Sequence, residues 1–248
     1  MKSPVYALII LFFVPQLYGQ DPDLDLNMLT DAYFREKVNP LAIVLPFAIG
    51  GLFTGDVGFL QPGEVRISVN GETNFVSSEL SKGPMNGVDQ FSLPMFNLAL
   101  SVDPRVELSG KFSSINIGNR AVIITGYGLR YRTYSNEMGN RGISVGVMVN
   151  ALKGPEDFRI WDMTLHLDFL KIGESTSFKA SIGADFSEMR IAVKEEGNLL
   201  NEKNENIERT QSWVAVGISQ NLGDVLFSFL QFQQGQSRRL NIGIGIRL

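Results

Sequence analysis

The chain has a single histidine, His166, and it sits between two carboxylates of alternate spacing, Asp162 and Asp168, in the stretch WDMTLHLDF. Residues two apart on a strand share one face, roughly 7 Å apart by strand rise. A histidine beside a carboxylate in that arrangement could serve as an oriented base toward a hydroxyl nucleophile. No serine motif such as G-x-S-x-G accompanies it, so a histidine satisfied by neighbouring polar groups is the favoured reading. GYGLRY at 126–131 lacks the G-x-G-x-x-G spacing of a phosphate loop and lies within a strand pattern. Its glycines read as relief of crowding or as a bend. The charged run EEGNLLNEKNENIER at 195–209 could collect Ca²⁺, but EF-hand spacing is missing and a solvated loop is the default. The chain has no cysteine, which excludes disulfides, thiol chemistry and cysteine metal sites. A net charge of -4 without any Lys/Arg-rich run argues against nucleic acid as a partner. No cofactor, metal site or enzymatic activity is expected.

The element that positions His166 alternates without exception. Trp161, Met163, Leu165, Leu167 and Phe169 fall on one face, and Asp162, Thr164, His166 and Asp168 on the other. A soluble sandwich would give the charged wall to water, whereas a transmembrane barrel gives the apolar wall to lipid and the charged wall to its lumen. From Glu64 onward the pattern repeats. Val65, Ile67 and Val69 alternate with Arg66, Ser68 and Asn70, and Leu240, Ile242, Ile244, Ile246 and Leu248 with Asn241, Gly243, Gly245 and Arg247. The apolar phase shifts by one residue near Ser187-Glu188, from Phe186 to Met189, Ile191 and Val193, which predicts a bulge. Later strands are predicted over Thr210 to Gln220, Val225 to Gln233 and Arg239 to Leu248.

About ten strands result, with twelve as the alternative. Compact turns at Asp103-Pro104, 136–140, 171–175 and 221–224 follow even-numbered strands, and mostly longer connections follow odd-numbered ones. That asymmetry is the signature of an antiparallel up-and-down transmembrane barrel with short periplasmic turns, long external loops and both termini in the periplasm. Aromatics near strand ends, Tyr131, Tyr134, Trp161, Phe169, Trp213 and Phe232, suit interfacial girdles.

Before the barrel region, residues 1–19 have the layout of a secretory signal. Lys2 precedes the apolar run VYALIILFFV, which is about half the roughly 20 residues a spanning helix needs. Residues 20–63 form a periplasmic helix and a plug-like segment. Leu26, Leu29, Tyr33 and Phe34 have helical spacing that Asn39-Pro40 should end. Pro46, Gly50 and Gly51 then interrupt ladder pairing over 41–60 and mark a plug or gate in the barrel mouth, with two extra short strands as the alternative. Residues 64–248 form the barrel.

Alternation sends Arg66, Arg105, Glu107, Lys111, Arg130, Arg132, Asp162, His166, Asp168, Lys179, Asp185, Arg190 and Arg247 into the lumen. Mixed charges in a confined space must pair, because an unpaired buried charge is costly. A barrel of about ten strands has little spare interior, so a plugged or narrow lumen is expected.

With the helix around Tyr33 and Pro40, the Gly50-Gly51-Leu52 turn, the LPMFNLAL strand, GYGLRYRTY and KASIGADFSEMRIAV, most of residues 25–248 resembles the uncharacterised outer-membrane barrels of Bacteroidota-type bacteria. Those in turn resemble FadL-type hydrophobic-substrate channels. The resemblance implies outer-membrane localisation, lipid and the barrel-assembly machinery as partners, and a small hydrophobic ligand. The chain is much shorter than a fourteen-stranded FadL channel, so no ligand site is carried over. A narrow or gated passive transporter or binder of small molecules is the leading functional expectation. The alternatives are a structural or surface-interaction barrel and, third, a membrane esterase or acyltransferase using His166.

Overall fold

The structure, a computed structural model, describes residues 34–50, 58, 60–117, 120–154, 158–194 and 202–248. The signal segment, the start of the N-terminal region, Gly51 and the loop 195–201 lie outside them. Among the described residues a helix, α1 (Phe34–Ile49), precedes ten strands: β1 (Val65–Phe75), β2 (Gln90–Asp103), β3 (Val106–Ile117), β4 (Arg120–Ser135), β5 (Arg141–Lys153), β6 (Phe158–Lys171), β7 (Thr176–Lys194), β8 (Glu202–Asn221), β9 (Leu226–Gln234) and β10 (Arg238–Arg247). Each strand pairs antiparallel with its chain neighbours. β1 and β10 close the barrel, from Arg66 opposite Arg247 to Phe75 opposite Arg238. Closure leaves no sheet edge unpaired.

The outer wall is an apolar band. Phe96, Leu98, Tyr127, Leu129, Leu165, Ile182, Val216 and Leu230 all face outward and are exposed. On β6 the band runs from Trp161 to Phe169, eight residue steps, or about 26 Å along the strand. Tilted by about 40°, that spans roughly 20 Å, the scale of a barrel's lipid-facing belt. Tyr131 and Tyr134 both face outward although they are three residues apart, because the ladder slips between Arg132 and Tyr134. One extra residue in a strand resets which side chains face out.

No bulge occurs at Ser187-Glu188. β7 pairs in unbroken register with β6 and with β8 past that point. Met189 and Ile191 are buried on the same face as Asp185, inside the barrel. The apparent phase shift marks a change in what the interior contains. Toward the long-loop end the lumen wall becomes apolar, through Phe91, Leu93, Val122, Ile124, Leu152 and Ile160, and packs against Leu41, Val44, Leu45 and Ile49 of α1.

The helix therefore lies inside the barrel and continues through both Pro40 and Pro46, where an end at Asn39-Pro40 is expected from the sequence, while the helical spacing of Leu26, Leu29 and Tyr33 lies outside the described residues. A proline inside a helix costs roughly 3 kcal/mol. Leu41, Val44, Leu45, Phe47 and Ile49 are each buried, at roughly 1.5–3 kcal/mol apiece, which outweighs that penalty. A helix apolar on every side, as AIVLPFAI is, requires such an enclosed position. The connection 76–89 covers the long-loop end through a single turn of 3₁₀ helix, Gly83–Met85, and lays Met85 and Val88 on the same core. Gly83 and Gly87 have φ of 57° and 76°, which side-chain-bearing residues rarely adopt.

β8 begins at Glu202, so half of the charged run expected as loop is strand. Its pairing with β7 projects past the apolar band, where no lipid imposes alternation and the strand signal is lost. A charge at mid-band tests the outward assignment: Leu165→Arg is expected to lower folding stability in lipid by about 2–4 kcal/mol, measured by denaturant titration of vesicle-inserted protein.

Candidate functional site

The candidate site is the lumen, where two polar belts hold the N-terminal segment. A helix ends with four carbonyls that lack intrahelical partners, and the C-terminus of α1 lies where no bulk water can reach it. Two cations, from strands three apart around the ring, supply the donors. The Lys111 ammonium, from β3, donates to Ile49 O and lies 3.3 Å from Gly50 O. Arg239 Nη1, from β10, lies 3.0 Å from Phe47 O, 3.1 Å from Ala48 O and 2.6 Å from Gly50 O. Its guanidinium stacks 5.5 Å from the centre of the Phe47 ring. Positive charge at this helix end also matches the negative pole of the helix dipole.

Those cations are balanced within the same belt. Glu72 Oε2 lies 3.4 Å from Arg239, and Gln233 Oε1 accepts from its second terminal nitrogen. Asp162 accepts from Asn150 Nδ2 at 3.0 Å, and Asp185 accepts from Trp213 Nε1 at 3.0 Å. Thr164 Oγ1 bridges the two carboxylates, 3.2 Å from Asp162 and 2.8 Å from Asp185. Gly50 passes between them: a Cβ built there would meet Asp162 Oδ2 at 3.0 Å, Asp185 Oδ2 at 3.3 Å and Pro46 O at 2.8 Å. Gly126 has a matching role on the wall, where a Cβ would come within 2.8 Å of Lys111 Cγ.

A second belt lies toward the short-turn end. Arg66 and Arg130 each direct a terminal nitrogen at Gly58 O, at 2.9 and 3.1 Å, so the chain that leaves α1 is held again near the far mouth. Glu107 accepts from Arg130 at 2.8 Å and lies 3.7 Å from Arg66. Asp168 accepts from Ser181 at 2.7 Å and Ser144 at 3.3 Å, with His166 Nε2 3.5 Å away. Both serines thus donate to the carboxylate, whereas a serine relay needs its hydroxyl on the imidazole. Lys179 is buried in the same belt. A void of about 10 Å³ beside Arg66, Asn97 and Glu107 has room for about one water.

Arg66, Glu107, Lys111, Arg130, Asp162, His166, Asp168, Lys179 and Asp185 are therefore buried inside the barrel, and Pro46 and Gly50 lie on the segment that fills it. Arg132 and Arg247 are half-buried, and Arg247 donates to Asn221 at 3.0 Å. Two residues expected inward are not. Arg105 sits in the turn after Asp103 and is exposed, because the ladder shifts between Ser101 and Asp103. Arg190 keeps a side-chain exposure of 67% and pairs with Glu188 on the outer face, since β7 runs without the expected bulge. Trp213 belongs to no girdle. It is 3% exposed, in the lumen, on the same strand face as Gln211 and Ala215.

Sequence reasoning missed Glu72 and Arg239. Arg239 has the parity of Asn241 and Arg247, so alternation carried one step further would have found it. Glu72 lies beyond Gly71, which reads as a strand end. Among the described residues no group of three His, Asp or Glu side chains converges as metal ligands do.

No family model and no curated protein matches the chain. Among solved structures it is similar to the N-terminal β-barrel domain of Pseudomonas aeruginosa OprF, at 11% identity and TM-score 0.36, covering 75% of this chain and 98% of that one. It is similar to the outer membrane protease OmpT of Escherichia coli at 7% identity and TM-score 0.41, covering 77% and 98%. The Ralstonia pickettii toluene transporter TbuX gives 8% identity and TM-score 0.33, covering 76% and 90%.

Removing one buried cation leaves opposite charges and helix carbonyls unpaired. Lys111→Met is expected to destabilise the folded barrel by on the order of 3–5 kcal/mol, read as a lowered thermal midpoint in detergent.

Proposed function

We propose that the chain is an outer-membrane barrel that binds or passes a small hydrophobic molecule through a gated lumen, with α1 occupying the ligand's chamber in the closed state. The observation that carries this reading is the division of the lumen. The half filled by α1 is lined by Phe91, Leu93, Val122, Ile124, Ile160 and Met189, whereas the half below it is charged. An apolar chamber with a few convergent polar groups suits a small apolar ligand once the helix moves. Lys111 and Arg239 hold the C-terminal carbonyls of α1, and Arg209 and Gln211 of β8 donate to Asn39 and to Ile43 O further back, so release of the C-terminal end is a defined event.

The lipid-facing band supports membrane insertion. Two connections at one end, 76–89 and 195–201, are longer than any turn at the other, which supports an orientation with both termini in the periplasm, and such a barrel needs the barrel-assembly machinery for insertion. His166 serves in the lower belt as packing beside Asp168 and Trp213, whose ring lies 6.4 Å from its own, and carries no reaction.

A second reading, a purely structural or surface-interaction barrel, is favoured by the filled lumen itself. Conductance separates the two. In planar bilayers the native chain is expected to lack the steady current of a general porin, and Lys111→Gln with Arg239→Gln is expected to show transient openings and faster uptake of an apolar dye into vesicles. A folded double variant that is as tight as the native barrel would favour the structural reading.

A further inference from the structure

Three cations stand in one hydrogen-bonded row on the outer wall. Lys153 of β5 lies directly opposite Arg159 of β6, and Arg159 directly opposite Arg190 of β7. Directly paired side chains have Cβ atoms about 4.5–5.5 Å apart, and like charges so placed repel. The nearest carboxylates stand one outward position nearer the membrane centre, where Glu188, 2.8 Å from Arg190, lies opposite Trp161 on one side and the exposed Glu208 of β8 on the other, so three positive charges meet two negative ones. All three cations are exposed. The row lines an open groove of about 600 Å³ together with Ala151, Trp161 and Glu188.

Its height on the barrel gives the groove its meaning. Ala151 and Trp161 are the last outward apolar residues of β5 and β6, and Lys153 and Arg159 are the next outward positions on those strands. Trp161, 46% exposed, sits where tryptophans mark the boundary between acyl chains and headgroups. The cations therefore stand at headgroup level directly above a lipid-facing wall.

We propose that this groove is a binding site for a membrane lipid with a phosphate headgroup, its phosphate held by Lys153, Arg159 and Arg190 and its acyl chains lying along Trp161, Met163 and Leu165. Guanidinium forks match phosphate oxygens in pairs, and a phosphomonoester brings close to two negative charges to the three cations, of which Lys153 and Arg159 stand away from the two carboxylates. The proposal rests on the membrane-embedded barrel and is independent of gating.

The test is native mass spectrometry of the full chain in detergent with phosphatidic acid, phosphatidylcholine and diacylglycerol of identical acyl chains. The native protein is expected to retain phosphatidic acid roughly thirty-fold over the other two, the scale of two basic contacts at a membrane surface. Lys153→Gln with Arg159→Gln should remove most of that preference. Arg159→Gln alone, the variant that keeps the test open if the double one fails to fold, should reduce it several-fold. Equal retention of all three lipids by the native protein, or an undiminished preference in a folded variant, overturns the proposal. Displacement of the lipid by millimolar inorganic phosphate would assign the groove to soluble phosphate instead. Heat-modifiable gel migration, run on every sample, separates these outcomes from failure of the barrel itself, because a chain without the fast unboiled band is no membrane barrel.

Discussion

The C-terminal carbonyls of α1 end inside a closed wall, and every one of them needs a donor that water does not supply. Lys111 and Arg239 meet that need, and the rest of the middle belt follows from the choice. Two buried cations require carboxylates, so Glu72, Asp162 and Asp185 stand beside them. Those carboxylates require donors in turn, which Asn150, Thr164 and Trp213 provide. The space for this network comes from residues without side chains. Gly50 lets the segment pass between two carboxylates, and Gly126 lets Lys111 lie along the wall.

The interior is thus built from two kinds of chemistry stacked along one axis. Toward the short turns it is a charge network that grips the chain at Gly58, and toward the long loops it is an ordinary hydrophobic core that happens to be enclosed by a sheet. Apolar burial supplies the bulk of the free energy that keeps α1 in place, since its side chains leave water entirely. The polar belts add position, because buried charge pairs are sensitive to geometry while contributing little net stability against an apolar substitute. This division suits a segment that must sit in one place and yet be releasable.

The barrel was legible in the sequence wherever lipid enforces alternation. The strand from Trp161 to Phe169 has one wall for acyl chains and one for the lumen, and its neighbours repeat the rule. Legibility failed where that rule stops applying. At Met189 and Ile191 the interior turns apolar while the outward Glu188 and Arg190 are charged, so the alternation inverts and mimics a bulge, whereas the true slips, at Ser101/Asp103 and Arg132/Tyr134, lie beside turns. At Glu202–Arg209 the strand leaves the membrane and its charges look like loop. Pro40 and Pro46 were misleading for a third reason: local propensity argues against a helix there, and only tertiary burial, which no local pattern reports, makes it stable. The lumen charges followed from parity, but their pairing did not, because Lys111 and Arg239 meet through a helix end that only the folded chain brings to them.

The central claim is that α1 is an integral part of the barrel interior. Amide hydrogen exchange of the membrane-inserted protein tests it most directly, since exchange reports how often each backbone group opens to water. The account predicts that amides of residues 41–49, apart from Pro46, which has none, exchange as slowly as those of the lipid-embedded strands. Exchange at the rate of an unstructured peptide over that helix, with the strands still protected, would contradict it.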